Sequence, residues 1–218
     1  MDSVSGVGVI DKSVTILRAL RERPLDLGDL QTATGLPRAT AHRLVVALEQ
    51  HHLVRRDAMG RFCLGFELVA LGHSASEQFA LGELAGPTLR DLRDASGESV
   101  QLYVREGDAR RCVVSLQSPH ALRWIVPEGS LLSLGAGSAG RVLGGESLGR
   151  RGWIESVEER EAGVASVSAP VVDRSGAVVA AVSISGPIER LSRTPGAAFG
   201  AAVVDAARRI SEALATVR

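Results

Sequence analysis

Cysteine and lysine are nearly missing from this 218-residue chain. Its two cysteines, Cys63 and Cys112, support neither a disulfide framework nor a metal-binding pair; each falls in a strand-like run and reads as a buried apolar filler. Lys12 is the only lysine, so arginine carries nearly all the positive charge, and with abundant alanine, glycine and valine this reads as a GC-rich coding sequence. No run of about 18 apolar residues is present to span a membrane, and no charged-then-apolar leader opens the chain, so the expected location is the cytoplasm. Formal net charge is zero, which excludes a global electrostatic pull on nucleic acid. The five histidines, at 42, 51, 52, 73 and 120, show no paired metal spacing, and neither metal nor cofactor is expected. What remains, 45% hydrophobic and 23% charged residues, is ordinary for a globular protein with a real core, in one large domain or two modest ones.

The most informative segment is LGDLQTATGLPRATAHRLVVALEQHHLVRRDAMGR, Leu27 to Arg61. Asp26 is placed to cap a helix whose apolar stripe is Leu27, Leu30 and Ala33, and Thr34-Gly35 ends it. Pro37 suits the first turn of a second helix, in which Ala41, Leu44, Val45 and Leu48 form an apolar face. Arg38, Thr40 and Arg43 lie mostly off that face, at the end where a recognition helix carries base-reading residues. Arginine can bond guanine O6 and N7 with two parallel donors, and threonine can bond a base or a phosphate. His42 lies on the same helix, where contact with DNA and plain solvation are equally good readings. Two strand-like runs, 53–56 and 61–64, flank Asp57-Ala58-Met59-Gly60 as a wing, with Arg55, Arg56 and Arg61 placed to reach phosphate. Residues 37–61 carry five arginines against Glu49 and Asp57, a local excess of three positive charges whose attraction to DNA falls steeply with salt. Turn, proline, apolar spacing and basic hairpin in this order predict a winged helix-turn-helix. A helical hairpin with a merely solvated basic surface is the competing reading.

Elsewhere, residues 1–10 read as a small polar arm. Asp11 is placed to cap a first helix through about Arg21, with Val14, Leu17 and Leu20 inward. Residues 65–79 are helix-like, with Phe66, Val69 and Ala70 on one side; residues 83–95 are helical, interrupted near Gly86-Pro87. From Ser99 the period changes to two: VQLYVREGDARRCVVSLQ predicts a hairpin about Gly107-Asp108, and Trp124-Ile125-Val126 a third strand. Residues 164–172 and 177–185 read as strands about the turn Asp173-Arg174-Ser175-Gly176, and a final helix runs from 195 or 196 to 217 with Val203, Ala206, Ile210 and Leu214 inward. Strands in the middle and helices at both ends predict an α+β fold: an N-terminal winged helix-turn-helix (1–67), a linker helix (68–82) and an antiparallel-sheet domain (83–218).

Several signals favour bland readings. Gly135-Ala136-Gly137-Ser138-Ala139-Gly140 spells G-x-G-x-x-G, but no βαβ unit follows, so a tight loop beside a pocket is the better reading. Around Ser138 the nucleophile-elbow pattern fails at Ala136. Glu158, Glu159 and Glu161 alternate with Arg160 as a solvated face would, and Ser183 and Ser185 share a strand face that reads as a polar sheet edge.

With these pieces in place, the chain resembles the IclR family of transcription regulators from end to end. DKSVTILRAL is similar to the family's first helix, LPRATAHRLVVALEQHHLVRRD to its recognition helix and wing, and RFCLG to the strand returning into the linker helix. GSLLSLGAGSAGRVL is similar to the glycine-rich pocket loop, and RRGWIESVEEREAGVASVSAPVVDRSGAVVAAVSISGPIERL to the closing signature. SGESVQLYVREGD and GVASVSAPV carry a narrower likeness to regulators of amino-acid metabolism, leucine biosynthesis included.

The resemblance implies a GAF-like effector domain, a homodimer joined through the DNA-binding half and often paired again into a tetramer, palindromic operators in double-stranded DNA, and repression, although no residue fixes the sign. It also implies a small-molecule effector, an amino acid or small carboxylate, held by Gly137, Ser138 and Ala139 of the glycine-rich loop, Ser156 of the loop after the Gly-Trp pair, and Ser166, Ser183 and Ser185 of the last strands. Hydroxyls and loop N–H groups favour anions. Relatives that bind small carboxylates tend to have aspartate at the position of Ser156 and cysteine at that of Ser166. Between Leu143 and Arg150 only GGESLG stands where relatives carry a helical segment, which leaves either a more open pocket or a segment missing from the sequence. Two alternatives to a ligand-modulated regulator remain open at this point. One is a constitutive regulator with a vestigial pocket. The other is a small-molecule enzyme or sensor, for which no general base stands beside a nucleophile.

Overall fold

The computed structural model describes residues 7–77 and 80–216, and the chain divides into two compact units, Met1–Gln78 and Phe79–Arg218. Among the described residues no helix is long and apolar enough to cross a membrane.

The first unit contains α1 (Gly8–Glu22), α2 (Leu27–Thr34), α3 (Arg38–Gln50), a two-stranded antiparallel wing of β1 (Val54–Arg56) and β2 (Phe62–Leu64), and α4 (Glu67–Glu77). Its core gathers Ile16 and Leu20 of α1, Leu30 of α2, and Ala41, Leu44, Val45 and Leu48 of α3 around Leu25, Leu36, Val54 and Phe62. Leu25 and Phe62 exchange backbone hydrogen bonds of 2.9 and 2.8 Å, fastening the wing to the link before α2. Asp26 caps α2, its carboxylate accepting from the Asp29 N–H at 2.8 Å, and Gly35 ends it at φ 66°, a conformation glycine reaches without strain.

Four sequence expectations need correction here. The helix begins at Gly8, so only 1–6 of the expected arm lie outside the described residues. Leu20 is buried as expected, but its companion in α1 is Ile16 and not Val14, which is exposed. Ala33 is exposed, and Thr34 takes its inward place, its hydroxyl donating to the Leu30 carbonyl at 2.7 Å. Pro37 stands one residue before α3, as its N-cap.

The second unit holds α5 (Ala80–Ser96), β3 (Ser99–Glu106), β4 (Ala109–Leu116), β5 (Leu131–Ser133), α6 (Ser138–Leu143), a 3₁₀ turn (Gly149–Arg151), β6 (Ile154–Val157), β7 (Val164–Val172), β8 (Val178–Pro187), α7 (Ile188–Leu191) and α8 (Pro195–Thr216). The strands form one antiparallel sheet in the order β5-β4-β3-β8-β7-β6. Side chains alternate across it. Val100, Leu102, Val167, Ala180, Val182 and Ile184 face α5 and α8, while Tyr103, Cys112, Ile154 and Ala181 pack with α6 on the other side. The α+β architecture is as expected.

Helix α5 runs through Pro87 instead of breaking there. Glu83, whose carbonyl loses its helical donor to the proline, and Pro87 itself are both exposed, so water can take the freed carbonyl. Residues 78–79 of the expected linker helix and Val217 lie outside the described residues. Trp124-Ile125-Val126 forms no strand: the Trp124 carbonyl accepts from the Ser99 hydroxyl at 2.7 Å, and β5 takes the free edge of β4 instead. Both cysteines are buried free thiols.

Candidate nucleic-acid interface and serine-lined cavity

Helix α3 turns its apolar residues into the first unit's core and leaves Arg38, His42 and Arg43 exposed, with Thr40 half-buried at the edge. Arg38 and His42 are one turn apart, so the N-terminal half of the helix shows a continuous polar surface. Arg38 has a long hydrogen bond to Gln31 (Nη1 to Oε1, 3.4 Å), and Arg43 pairs with no carboxylate among the described residues.

The three wing arginines have separate surroundings. Arg61 is tied to Asp57: its Nε donates to Oδ2 at 2.8 Å and its backbone N–H to Oδ1 at 2.9 Å, closing the 57–61 turn. The Arg61 guanidinium accordingly holds the Asp57 carboxyl below the usual carboxylate range. Arg56 donates from Nε to Glu49 at 3.1 Å and lies over the Phe62 ring, 4.2 Å from its centre. Arg55 is exposed, rests over Phe66 at 5.0 Å, and has no carboxylate partner among the described residues. The basic hairpin therefore presents one unpaired charge, with two others in ion pairs that shape it.

In the second unit, Gly137, Ser138, Ala139, Ser156, Ser166, Ser183 and Ser185 all line one small cavity, of about 30 Å³, between the sheet and α6. Strand register brings them there. Ser156, Ser166, Ser185 and Ser99 face one another across β6, β7, β8 and β3, and Ser168, Ser183 and Gln101 form the adjacent row. Two expectations change: β8 is an interior strand, so Ser183 and Ser185 are not at a sheet edge, and Ser156 lies on β6 instead of a loop.

The Ser138 hydroxyl is 2.7 Å from those of both Ser166 and Ser168, and Ser185 donates to Gln101 Oε1 at 2.8 Å. Ser138 thus has hydroxyl partners and no base. Burial pushes the Cys112 thiol up to about 12, which keeps it neutral and unreactive. The Gly137 N–H donates to Glu159 Oε2 at 2.9 Å, and Glu159 also holds Arg141, so this glutamate is a structural tie and not merely part of a solvated face.

Sequence reasoning missed Tyr103, Arg110, Trp124 and Arg160, which also line the cavity. Arg110 is 2% exposed, although its place in an alternating hairpin gives no sign of burial. Arg160 lies over the Trp124 ring at 5.5 Å, and burial raises the Tyr103 phenol above its usual range, so it is a neutral donor. Leu143 leads to β6 through seven residues and the three-residue 3₁₀ turn alone.

Comparison with known proteins matches residues 9–58 to the IclR helix-turn-helix domain and residues 146–212 to the C-terminal domain of bacterial IclR transcriptional regulators. The glycerol operon regulatory protein of Streptomyces coelicolor is 31% identical over 246 aligned positions, covering 96% of this chain and 97% of that protein. Those positions outnumber the 218 residues of the chain, so this relative carries residues that the chain lacks. The transcriptional repressor IclR of Escherichia coli is 27% identical, covering 88% of this chain and 84% of its own. Among solved structures, an IclR homolog of Microbacterium hydrocarbonoxydans complexed with 4-hydroxybenzoate superposes with a TM-score of 0.80 at 20% identity, over 94% of this chain and 98% of that one.

Proposed function

The chain belongs to the IclR family of bacterial transcriptional regulators, and from that premise we propose that it binds a palindromic operator as a homodimer, or a tetramer of two such dimers, with a small metabolite in the serine-lined cavity adjusting its affinity. It is a DNA-binding regulator and not an enzyme. The observation that carries the proposal is the exposed tip of α3, with Arg38, His42 and Arg43 outward beside the unpaired Arg55. Such a helix end fits the major groove, with the wing against the backbone. On this reading Arg38, Arg43, Thr40 and His42 face bases or nearby phosphates, Arg55 contacts phosphate, and Arg56 and Arg61 support the wing. Repression in the cytoplasm is the sense we propose, in line with the name of the Escherichia coli relative.

Titration of DNA across a salt series tests the wing assignment. Arg55→Ala should weaken binding to all sequences alike and reduce the slope of log K against log salt by about 0.9 for each lost phosphate contact. Arg56→Ala should change binding less. An unchanged slope in Arg55→Ala contradicts the assignment.

The homodimer reading draws on the apolar surface of the first unit. Val9, Ile10 and Val14 of α1 are exposed, as are Phe66 and, on α4, Val69 and Leu71; Phe66 and Val69 are 73% and 68% exposed. Apolar side chains in such number on a small unit fit a self-complementary interface with a second copy. Val69→Asp should convert the dimer to monomers in light scattering and weaken binding to a two-half-site operator by roughly 100-fold or more, as linked binding is lost. A dimer of unchanged stability contradicts the interface.

The relatives give no support to the narrower likeness to amino-acid regulators; one is named for a glycerol operon. The cavity's volume of about 30 Å³ favours a second reading, a constitutive regulator whose pocket takes no ligand. Calorimetric binding of a small carboxylate rules that reading out.

A further inference from the structure

We propose that Arg110 is the charge anchor of an anion subsite in the serine-lined cavity, and that the ligand is a small anion bearing hydroxyl oxygens. The inference rests on the reading that this cavity receives the effector, and adds the ligand's charge and the residue that holds it.

Arg110 begins β4 and is almost wholly buried, at 2% exposure. Its Nη1 donates to two neutral acceptors, the Ser133 carbonyl and, at 2.9 Å, the Ala136 carbonyl. Its Nε has no hydrogen-bond partner, and no carboxylate lies within ion-pair distance among the described residues. A buried guanidinium without a counter-charge is costly, and carbonyl dipoles offset only part of that cost. None of the residues lining the cavity is acidic, while Arg160 adds a second cation. Glu159, the nearby carboxylate, is occupied by the Gly137 N–H and Arg141. An incoming anion supplies what the site lacks.

The glycine-rich loop is shaped around this guanidinium. A side chain at Gly140 would overlap Arg110 Nη1 and the Leu134 carbonyl, and one at Gly137 would stand 3.3 Å from Arg110 Nη2. The glycines of the G-x-G-x-x-G pattern thus make room for an arginine, where the pattern elsewhere makes room for a pyrophosphate.

The hydroxyl requirement has its own basis. Ser138, Ser166, Ser168 and Ser185 have polar partners. The hydroxyls of Ser156 and Ser183, residues 5% and 3% exposed, have no hydrogen-bond partner among the described residues. Each offers a donor and an acceptor to the cavity. One unpartnered guanidinium N–H, a second cation and two open hydroxyls match an anion with hydroxyls and reject a cation or a hydrocarbon.

Calorimetry on the full chain with glycerate, glycerol 3-phosphate and glycerol separates the possibilities. These probes share hydroxyls; the first two bring a carboxylate and a phosphate, the third no charge. At least one anion should bind, glycerol should bind at least tenfold more weakly, and whichever anion is preferred identifies the charged group. Arg110→Met should weaken the anion about 30-fold or more without improving glycerol. Arg160→Gln, at an exposed position, should weaken it several-fold by removing the second cation, and Arg110→Lys, which keeps the charge without the guanidinium fork, takes the place of Arg110→Met if that variant fails to fold. Glycerol bound as tightly as the anions overturns the inference and leaves the cavity as the effector site. Anion affinity unchanged in both variants overturns it by placing the anion elsewhere. Failure of all three probes to bind overturns the inference and the effector reading together, while DNA binding, measured separately, stands or falls by itself.

Discussion

Replacing both Arg38 and Arg43 with alanine is expected to abolish operator recognition while leaving the fold intact. Each arginine is exposed at the N-terminal end of α3, whose buried face is made of other residues, Ala41, Leu44, Val45 and Leu48. Neither side chain is needed to hold the first unit together, so loss of binding reports on contact with DNA and not on folding. A base-contacting arginine contributes about 1–3 kcal/mol, and in a dimer each appears in two half-sites. At the low end this is about 4 kcal/mol, or roughly a 1000-fold loss of specific affinity. Non-specific binding, carried largely by phosphate contacts, should fall much less, so the ratio of specific to non-specific affinity should collapse. Gel-shift titration on the DNA upstream of the gene, at one fixed salt concentration, measures both quantities. Wild-type affinity in the double variant would defeat the assignment.

Leu30→Ala is expected to unfold the first unit selectively. Leu30 is fully buried in α2, within a core whose residues all belong to that unit. Removing such a side chain costs about 2–5 kcal/mol. A unit of this size draws only about 3–5 kcal/mol from a single core, so the variant should have little stability left. Trp124 and Trp153 both lie in the second unit, so tryptophan fluorescence reports on that unit alone. Thermal unfolding followed by circular dichroism should therefore show early loss of helix in Leu30→Ala, while the fluorescence transition keeps its wild-type midpoint and DNA binding is lost. Coincident transitions that shift together would show that the two units do not unfold separately.

What the sequence made legible was local. Asp26, Gly35 and Pro37 mark the ends of α2 and the start of α3 through backbone chemistry confined to a few residues, and the hairpins about Gly107-Asp108 and Asp173–Gly176 are similar cases. Periodicity failed where an element has two apolar faces. In α1 one face meets the core through Ile16 and Leu20 while Val9, Ile10 and Val14 are exposed, and spacing cannot say which is which. It failed again at Pro87, whose exposed position lets the helix continue.

The cavity was half legible. The alternation of Ser166 with Ser168, and of Ser183 with Ser185, shows in the sequence, but their alignment into rows with Ser156, Ser99 and Gln101 is a product of register between strands far apart in the chain. Arg110 was not legible at all. Its burial depends on carbonyls at 133 and 136, more than twenty residues onward, and no local pattern reports such a contact. Likewise the wing arginines look alike in sequence; the carboxylates of Glu49 and Asp57 set Arg56 and Arg61 apart from Arg55 only once the hairpin has formed.

Methylation interference on the upstream DNA tests the central claim most directly, because methylation of guanine N7 blocks the major-groove edge that an arginine reads. The α3 tip in the groove predicts interference at guanines in two symmetric half-sites separated by a whole number of helical turns, and loss of that pattern in the Arg38→Ala, Arg43→Ala double variant. Binding indifferent to N7 methylation, or a pattern that persists unaltered in the double variant, would contradict it.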